Sequence, residues 1–238
     1  MPDTNSELGE LIEATRKYFM QQKDLFGNTV YTTDKKAATR EVPFPDEAWV
    51  NAPSLDEVNR QVCTCLKCQL GHTRTSFVFG VGNPHADVMF IGEAPGADED
   101  AQGEPFVGKA GQLLNKIIEA VGMKREQVYI CNILKCRPPN NRDPLPSEME
   151  TCSPYLFKQI DLVRPKFIIC LGRISAQWLL STNDSLTALR TKVHEYRGAK
   201  LIVTYHPAAL LRNPNWKRPA WEDMKMFKAL YDKQGAAA

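Results

Sequence analysis

From residue 87 onward the chain alternates short apolar runs with helical patterns, and this rhythm leaves few folds open. The runs at 87–91, 128–132, 167–171 and 201–205 are almost continuously apolar, as strands covered on both faces are. Helical periodicity marks 109–121, 147–163, 173–180 and 219–232. Gly122 suits the end of the first of these helices, and Ser147 with Glu150 predicts a capping box for the second. Strand and helix in regular alternation build a parallel sheet with helices on both sides. The expected class is therefore α/β, with three α/β/α layers around a mainly parallel, four-stranded sheet.

In such a sheet, ligands bind beyond the carboxyl ends of the strands. Turn-forming and polar residues gather at all four of those ends: 92–106, 132–137, Gly172-Arg173 and His206-Pro207. Packing alone does not require that coincidence, so a site is expected there. In the first loop, Gly92, Pro95 and Gly96 shape a tight turn, while Glu93, Asp98, Glu99 and Glu104 crowd charge into it. The glycines match neither G-x-G-x-x-G nor a P-loop, which weakens a phosphate-binding reading. Taken singly, His206 serves equally well as a satisfied structural histidine, Asn132 as a turn cap and Phe106 as core.

Seven cysteines and no secretory leader in the first residues point away from a disulfide framework. Cys65-x-x-Cys68 is a weak signal alone, but Cys136 and Cys152 add two thiols from a distant segment. Four thiolates from two segments suit tetrahedral zinc or a four-iron cluster. Cys131 and Cys170 lie inside apolar runs and read as buried free thiols, whereas Cys63 competes with Cys65 as a ligand.

Residues 1–60 hold seven basic against eleven acidic side chains, and the remainder 23 against 17. The basic excess centres on 190–218, where Arg190, Lys192, Arg197, Lys200, Arg212, Lys217 and Arg218 face one acid, Glu195, a balance that suits a phosphate backbone or a solvated face. Residues 1–60 read as an extension, with a helical pattern at 6–22 and then a polar linker; 61–233 form the main domain and 234–238 a tail. No apolar run is long enough to span a bilayer, so a cytoplasmic protein without membrane contact is expected.

Several segments together resemble the iron-sulfur uracil-DNA glycosylases, family 4 of their superfamily. They are Cys65-x-x-Cys68; Gly92-Glu-Ala-Pro-Gly96 with Glu99; Pro105-Phe-Val-Gly-Lys-Ala-Gly-Gln-Leu-Leu114; Asn132-Ile-Leu-Lys-Cys-Arg-Pro138; Cys152; and His206-Pro-Ala-Ala-Leu-Leu-Arg-Asn-Pro214. The resemblance runs from about residue 60 to residue 232 and implies excision of uracil from single- and double-stranded DNA by a monofunctional enzyme that leaves an abasic site. It also implies a [4Fe-4S] cluster on Cys65, Cys68, Cys136 and Cys152, chiefly structural.

The same resemblance distributes roles. His206 donates to the departing base, Asn132 reads the uracil edge and Phe106 stacks on it, within a pocket shaped by Gly92, Ala94, Pro95 and Gly96. Glu93 is the expected water-handling carboxylate, with Glu99 the alternative or an organiser of the loop. Gly96 offers no side chain against a 5-methyl group, which leaves the exclusion of thymine to other groups. Leu210, with Leu211 as the alternative, fills the gap left by the extruded base, and Arg212 holds phosphate. One chain supplies every part, so a monomer is expected, with any repair or replication partner docking on the N-terminal extension. A non-catalytic nucleic-acid-binding protein with a structural metal site is the competing class.

Overall fold

The computed structural model describes residues 44–235; the helix expected at 6–22 and the end of the tail lie outside the described residues. Six strands form one sheet: β1 (Val81–Gly82), β2 (Val88–Gly92), β3 (Tyr129–Asn132), β4 (Phe167–Leu171), β5 (Val193–Tyr196) and β6 (Ala199–Thr204). Their order across the sheet is β1-β3-β2-β4-β6-β5. The four inner strands are the expected ones and run parallel. Two antiparallel edge strands enlarge the expected four-stranded sheet to six. Both edges carry weak signals: β1 is two residues long, and β5 is mostly exposed and polar in sequence. β5 turns into β6 through Arg197 and Gly198, whose φ values of 47° and 81° suit a tight hairpin.

The helices are α1 (Leu55–Val62), α2 (Leu70–Thr73), α3 (Ala97–Gln102), α4 (Lys109–Ala120), α5 (Pro146–Val163), α6 (Arg173–Leu180), α7 (Leu186–Leu189), α8 (Pro207–Arg212) and α9 (Lys217–Gly235). Alternation along the strands divides the core into two layers. Met89, Ile91, Cys131, Ile168, Cys170, Leu201 and Val203 pack with α1, α5 and α6. Val88, Phe90, Ile130, Phe167, Ile169 and Ile202 pack on the opposite face with Leu114 and Ile118 of α4 and Met224 and Phe227 of α9. Because successive side chains of a strand point to opposite faces, strands buried throughout need helices on both sides. The three-layer expectation follows from this pattern.

Two boundaries move. Trp49, Leu55 and Val58 lie in the first core layer, so the folded unit includes residues assigned above to an extension ending at 60. The cap of α5 also shifts, because Pro146 occupies the first helical turn. Glu148 reaches back to the Leu145 amide at 2.8 Å and is held by Arg142 at 2.6 and 2.9 Å. Ser147 and Glu150 therefore do not form the expected box; a proline at the first position has no N–H to be capped.

Candidate active site

The carboxyl ends of β2, β3 and β6 bring Gly92, Asn132 and His206 to one edge of the sheet. Gly92 and Asn132 are paired in register. A side chain at Gly92 would meet Asn132 Oδ1 at 2.3 Å and the Phe106 ring at 2.6 Å, so only glycine lets these two groups share the space above the strand end. Asn132 is 1% exposed, and its Oδ1 is buried without a hydrogen-bond partner. An orphaned buried acceptor is costly, on the order of 1–3 kcal/mol, unless a ligand completes it.

Phe106 is held in a left-handed conformation, φ 55°, which is strained for an aromatic residue. Its carbonyl lies where any side chain at Gly111 would be, 1.8 Å from it, and Arg125 binds the carbonyls of Pro105 and Phe106 at 2.7 and 3.3 Å. These contacts fix the ring 5.5 Å from the imidazole of His206, tilted by 33°.

His206 caps α8. Its Nδ1 accepts the Ala208 amide at 3.1 Å, so the ring proton of the neutral imidazole sits on Nε2, which is free to donate. Burial, with the positive charge of Arg212 adding to it, lowers the imidazole pKa to about 4. Gly172, at φ 99°, leaves room for the ring: a side chain there would stand 3.1 Å from His206 Cβ. The histidine is therefore a neutral donor at any ordinary pH.

The crowded carboxylates of the 92–106 loop have separate tasks. Glu99 accepts the Gly96, Val107 and Gly108 amides at 3.1, 3.0 and 3.1 Å, closing the cap of α3 and stitching both ends of the loop. Asp100, which carries no signal of its role in the sequence, accepts the Thr75 and Ser76 amides at 2.9 and 3.3 Å and ties the preceding segment to the loop. Glu93 accepts no hydrogen bond from a described residue, although its main-chain carbonyl holds the Leu134 amide at 3.0 Å. Burial, reinforced by the charge of Asp143 and opposed by Arg173, raises its pKa to about 7. A half-buried carboxylate with free oxygens, next in sequence to Gly92 at the strand end, is equipped to hold water or a developing cation. Of the two residues that follow it, Ala94 packs against the first core layer and Pro95 is buried.

Below the pocket, Lys135 is fully buried. Its ammonium reaches the Asn132 carbonyl at 2.7 Å and Gln159 Oε1 at 2.6 Å, while its amide lies 3.3 Å from Cys152 Sγ. Nothing in the sequence marked this lysine beyond its place among apolar neighbours.

Cys65, Cys68, Cys136 and Cys152 come together at the junction of the α1–α2 connection, the segment after β3, and α5. The charges of Cys65 and Cys68 act on Cys136, and those of Cys68 and Cys136 act on Cys152. Donors point at three of the sulfurs: Tyr155 Oη at Cys65 (3.2 Å), Arg74 Nη1 at Cys136 (3.2 Å) and the Lys135 amide at Cys152. Four soft sulfur donors with N–H and O–H groups aimed at them fit a thiolate-ligated metal group. Cys63 is exposed and turns its thiol to the Arg60 carbonyl at 3.5 Å, away from this grouping. Cys131 and Cys170 are buried in the sheet, as expected of unligated thiols.

The helix α8, which His206 caps, separates the two leucines. Leu210 is 2% exposed and belongs to the interior, whereas Leu211 is 46% exposed. The exposed leucine is thus Leu211, the alternative, and not the preferred Leu210, which lines a cavity with Leu113 and Ile117 of α4 and Ala220, Trp221 and Met224 of α9. Arg212 is exposed beside Leu211. The basic run is also divided. Arg190 is buried against Asp223 at 2.7 Å and Arg197 pairs with Asp161 at 2.7 Å, leaving Lys192, Arg212, Lys217 and Arg218 as the exposed cations of the run outside those pairs.

A protein-family model described as the uracil DNA glycosylase superfamily matches residues 79–225. The chain is 46% identical to the type-4 uracil-DNA glycosylase of Archaeoglobus fulgidus over 76% of its own length and 95% of that protein. Identity to the protein of the same name from Sulfurisphaera tokodaii is 48%, over 74% of this chain and 84% of the other. For that of Thermotoga maritima it is 39%, over 76% and 96%.

Proposed function

Because the chain belongs to the type-4 uracil-DNA glycosylases, we propose that it flips uracil out of DNA and hydrolyses the N-glycosidic bond, leaving an abasic site for base excision repair. The observation that carries this reading is the buried, unpartnered Oδ1 of Asn132, which shares the space above Gly92 with the Phe106 ring, itself set against a neutral histidine donor.

Breaking the C1′–N1 bond develops positive charge on the sugar and negative charge on the base, so the site must serve both. Asn132 Oδ1 accepts from uracil N3–H while its amide nitrogen donates to O4. Cytosine presents an amino group and an unprotonated nitrogen at those positions, and so meets donor with donor and acceptor with acceptor. The Nε2–H of His206 donates to uracil O2 as charge accumulates there, without prior protonation of the ring. Phe106 stacks on the base. Glu93 orients the attacking water and offsets the charge on the sugar. Glu99 stays in its three amide bonds and holds the loop in shape. Leu211 fills the stack vacated by the nucleotide, offsetting an unstacking cost of a few kcal/mol, and Arg212 holds phosphate. Lys135, the lysine bonded to the Asn132 carbonyl, is buried with its ammonium engaged and is not free to act as a Schiff-base nucleophile. The enzyme is accordingly monofunctional, and one chain supplies the whole site.

Cys65, Cys68, Cys136 and Cys152 would hold a [4Fe-4S] cluster, which when bound would supply a cross-link between the α1–α2 connection, the segment after β3, and α5. A single zinc ion needs four ligands roughly 2.0–2.3 Å from one centre. Among the described residues no three His, Cys, Asp or Glu side chains are grouped closely enough to hold one ion, and the iron content of the protein separates a cluster from zinc.

The test is direct. Incubation with an oligonucleotide carrying one deoxyuridine should release free uracil and leave an alkali-labile strand, and the purified protein should contain about four irons per chain. Protein that binds the oligonucleotide but releases no uracil would make it a binding module instead.

A further inference from the structure

The segment from Leu211 to Trp221 does more than carry a wedge. Six large hydrophobic side chains are exposed among the described residues, and three of them, Leu211, Trp216 and Trp221, fall within these eleven positions. Between them stand the exposed cations Arg212, Lys217 and Arg218, and the segment contains no carboxylate. Scattered exposed apolar residues need no explanation, but aromatic rings interleaved with unneutralised cations are the composition by which proteins hold unpaired nucleotides.

Trp216 is also anchored. Its indole stacks on Tyr205 at 5.1 Å and 15°, nearly parallel, and Tyr205 directly precedes His206. The guanidinium of Arg190 lies 4.2 Å from the centroid of the Tyr205 ring. Arg190 is fixed by Asp223 at 2.7 and 2.9 Å and by the Pro219 carbonyl at 2.7 Å, and Asp223 accepts from the Thr204 hydroxyl at 2.8 Å. Asn213 closes the turn before Trp216 by accepting the Asn215 amide at 3.2 Å. A chain of contacts thus runs from the end of β6 to the indole, which still leaves 39% of its surface open. An aromatic surface held rigid in advance loses little entropy when a flat partner lands on it.

We propose that Trp216 is a nucleobase-stacking site, on whose open surface a base next to the extruded nucleotide lies. This rests on the reading of the pocket as a DNA base-excision site and adds to it a second aromatic contact, outside the pocket and indifferent to base identity. Its chief value is on single-stranded DNA, where no complementary strand keeps the neighbouring base in place. Tyr205 and Arg190 are positioning residues, acting through the indole.

The experiment uses full-length protein and single-stranded oligonucleotides carrying a stable abasic analogue flanked on one side or the other by 2-aminopurine, whose fluorescence falls on stacking. Wild type should quench the probe on one side more than on the other. Trp216→Ala should lose that quenching and bind about 5- to 100-fold more weakly, with an unchanged slope of affinity against salt, because no phosphate contact is removed. Trp216→Phe should restore part of both signals. A Trp216→Ala protein that excises uracil slowly but quenches and binds as wild type does would overturn the proposal, since the ring would then only support Tyr205 and His206. If wild type releases uracil and yet quenches neither probe, the stacking site alone falls. If wild type neither releases uracil nor binds these oligonucleotides, the reading of the pocket falls with it.

Discussion

Lys135 donates from its buried ammonium to the main-chain carbonyl of Asn132 at 2.7 Å, while its own amide lies against Cys152 Sγ at 3.3 Å. The proposed base reader and one member of the cysteine group are therefore held by a single residue. Lys135→Met keeps the volume but leaves the Asn132 carbonyl and Gln159 Oε1 unsatisfied in the interior. It should lower stability by about 1–3 kcal/mol per orphaned acceptor and slow uracil release. Thermal melting and single-turnover excision, compared with Lys135→Arg, measure both.

Asn132 predicts the opposite relation between stability and activity. Its Oδ1 is already unpartnered in the folded protein, so Asn132→Leu removes a desolvated acceptor and should leave the melting temperature unchanged or raised. Excision of uracil should fall by roughly a hundredfold or more, the scale reported for removal of one preorganised hydrogen-bonding group. A melting temperature that dropped together with activity would show that the side chain is structural.

The pH dependence follows from Glu93, whose pKa is raised to about 7 by burial and by Asp143. Only the carboxylate can orient water and offset a cation, so single-turnover excision should rise as pH increases through about 7 and level off above it. Stability runs the other way. The folded state keeps this proton to a higher pH than the unfolded chain does, so stability falls between the ordinary carboxyl range and pH 7. Glu93→Gln should abolish the pH step in activity and raise the melting temperature at pH 8 but not at pH 4. Glu99→Gln, by contrast, weakens three amide bonds and should destabilise the loop.

His206 adds nothing to that profile. With its pKa lowered to about 4, it remains neutral from mildly acidic to alkaline pH. Because the unfolded chain would take up this proton near pH 6.5, the histidine contributes stability above that value, which is lost as pH falls towards 4. Nitrogen-15 NMR of the imidazole should show the Nε2–H tautomer unchanged between pH 6 and 8. An imidazolium signal at pH 6 would contradict the donor role assigned here.

The inner sheet was legible because its strands are buried on both faces and read as unbroken apolar runs that end in turn residues. The edge strands were not, since two residues at Val81–Gly82 and a half-exposed Val193–Tyr196 leave no periodic trace. At the site, residue types announced themselves where chemistry is local: a histidine before proline, an asparagine at a strand end, cysteines at close spacing. What depends on distant partners did not. Lys135 and Asp100 look like ordinary surface residues until the fold buries them, and Arg190 looks like a phosphate ligand until Asp223 claims it. Glu93 and Glu99 were separable only once the three amides converging on Glu99 could be seen.

Leu210 and Leu211 illustrate the same limit and supply a sharp comparison. Leu210, 2% exposed, should behave as core, so Leu210→Ala should cost about 2–5 kcal/mol of stability. Leu211, 46% exposed, buries little in the free protein, and Leu211→Ala should leave stability within about 0.5 kcal/mol. Its effect should appear on DNA. In a duplex, the extruded nucleotide leaves a gap between stacked neighbours and an unpaired partner, and filling that gap is what the leucine contributes. A single strand has no such gap to hold open. Excision from a paired substrate should therefore fall by about tenfold or more in Leu211→Ala, while excision from the same sequence as a single strand changes little. Equal losses on the two substrates, measured under single-turnover conditions, would remove Leu211 from the wedge position.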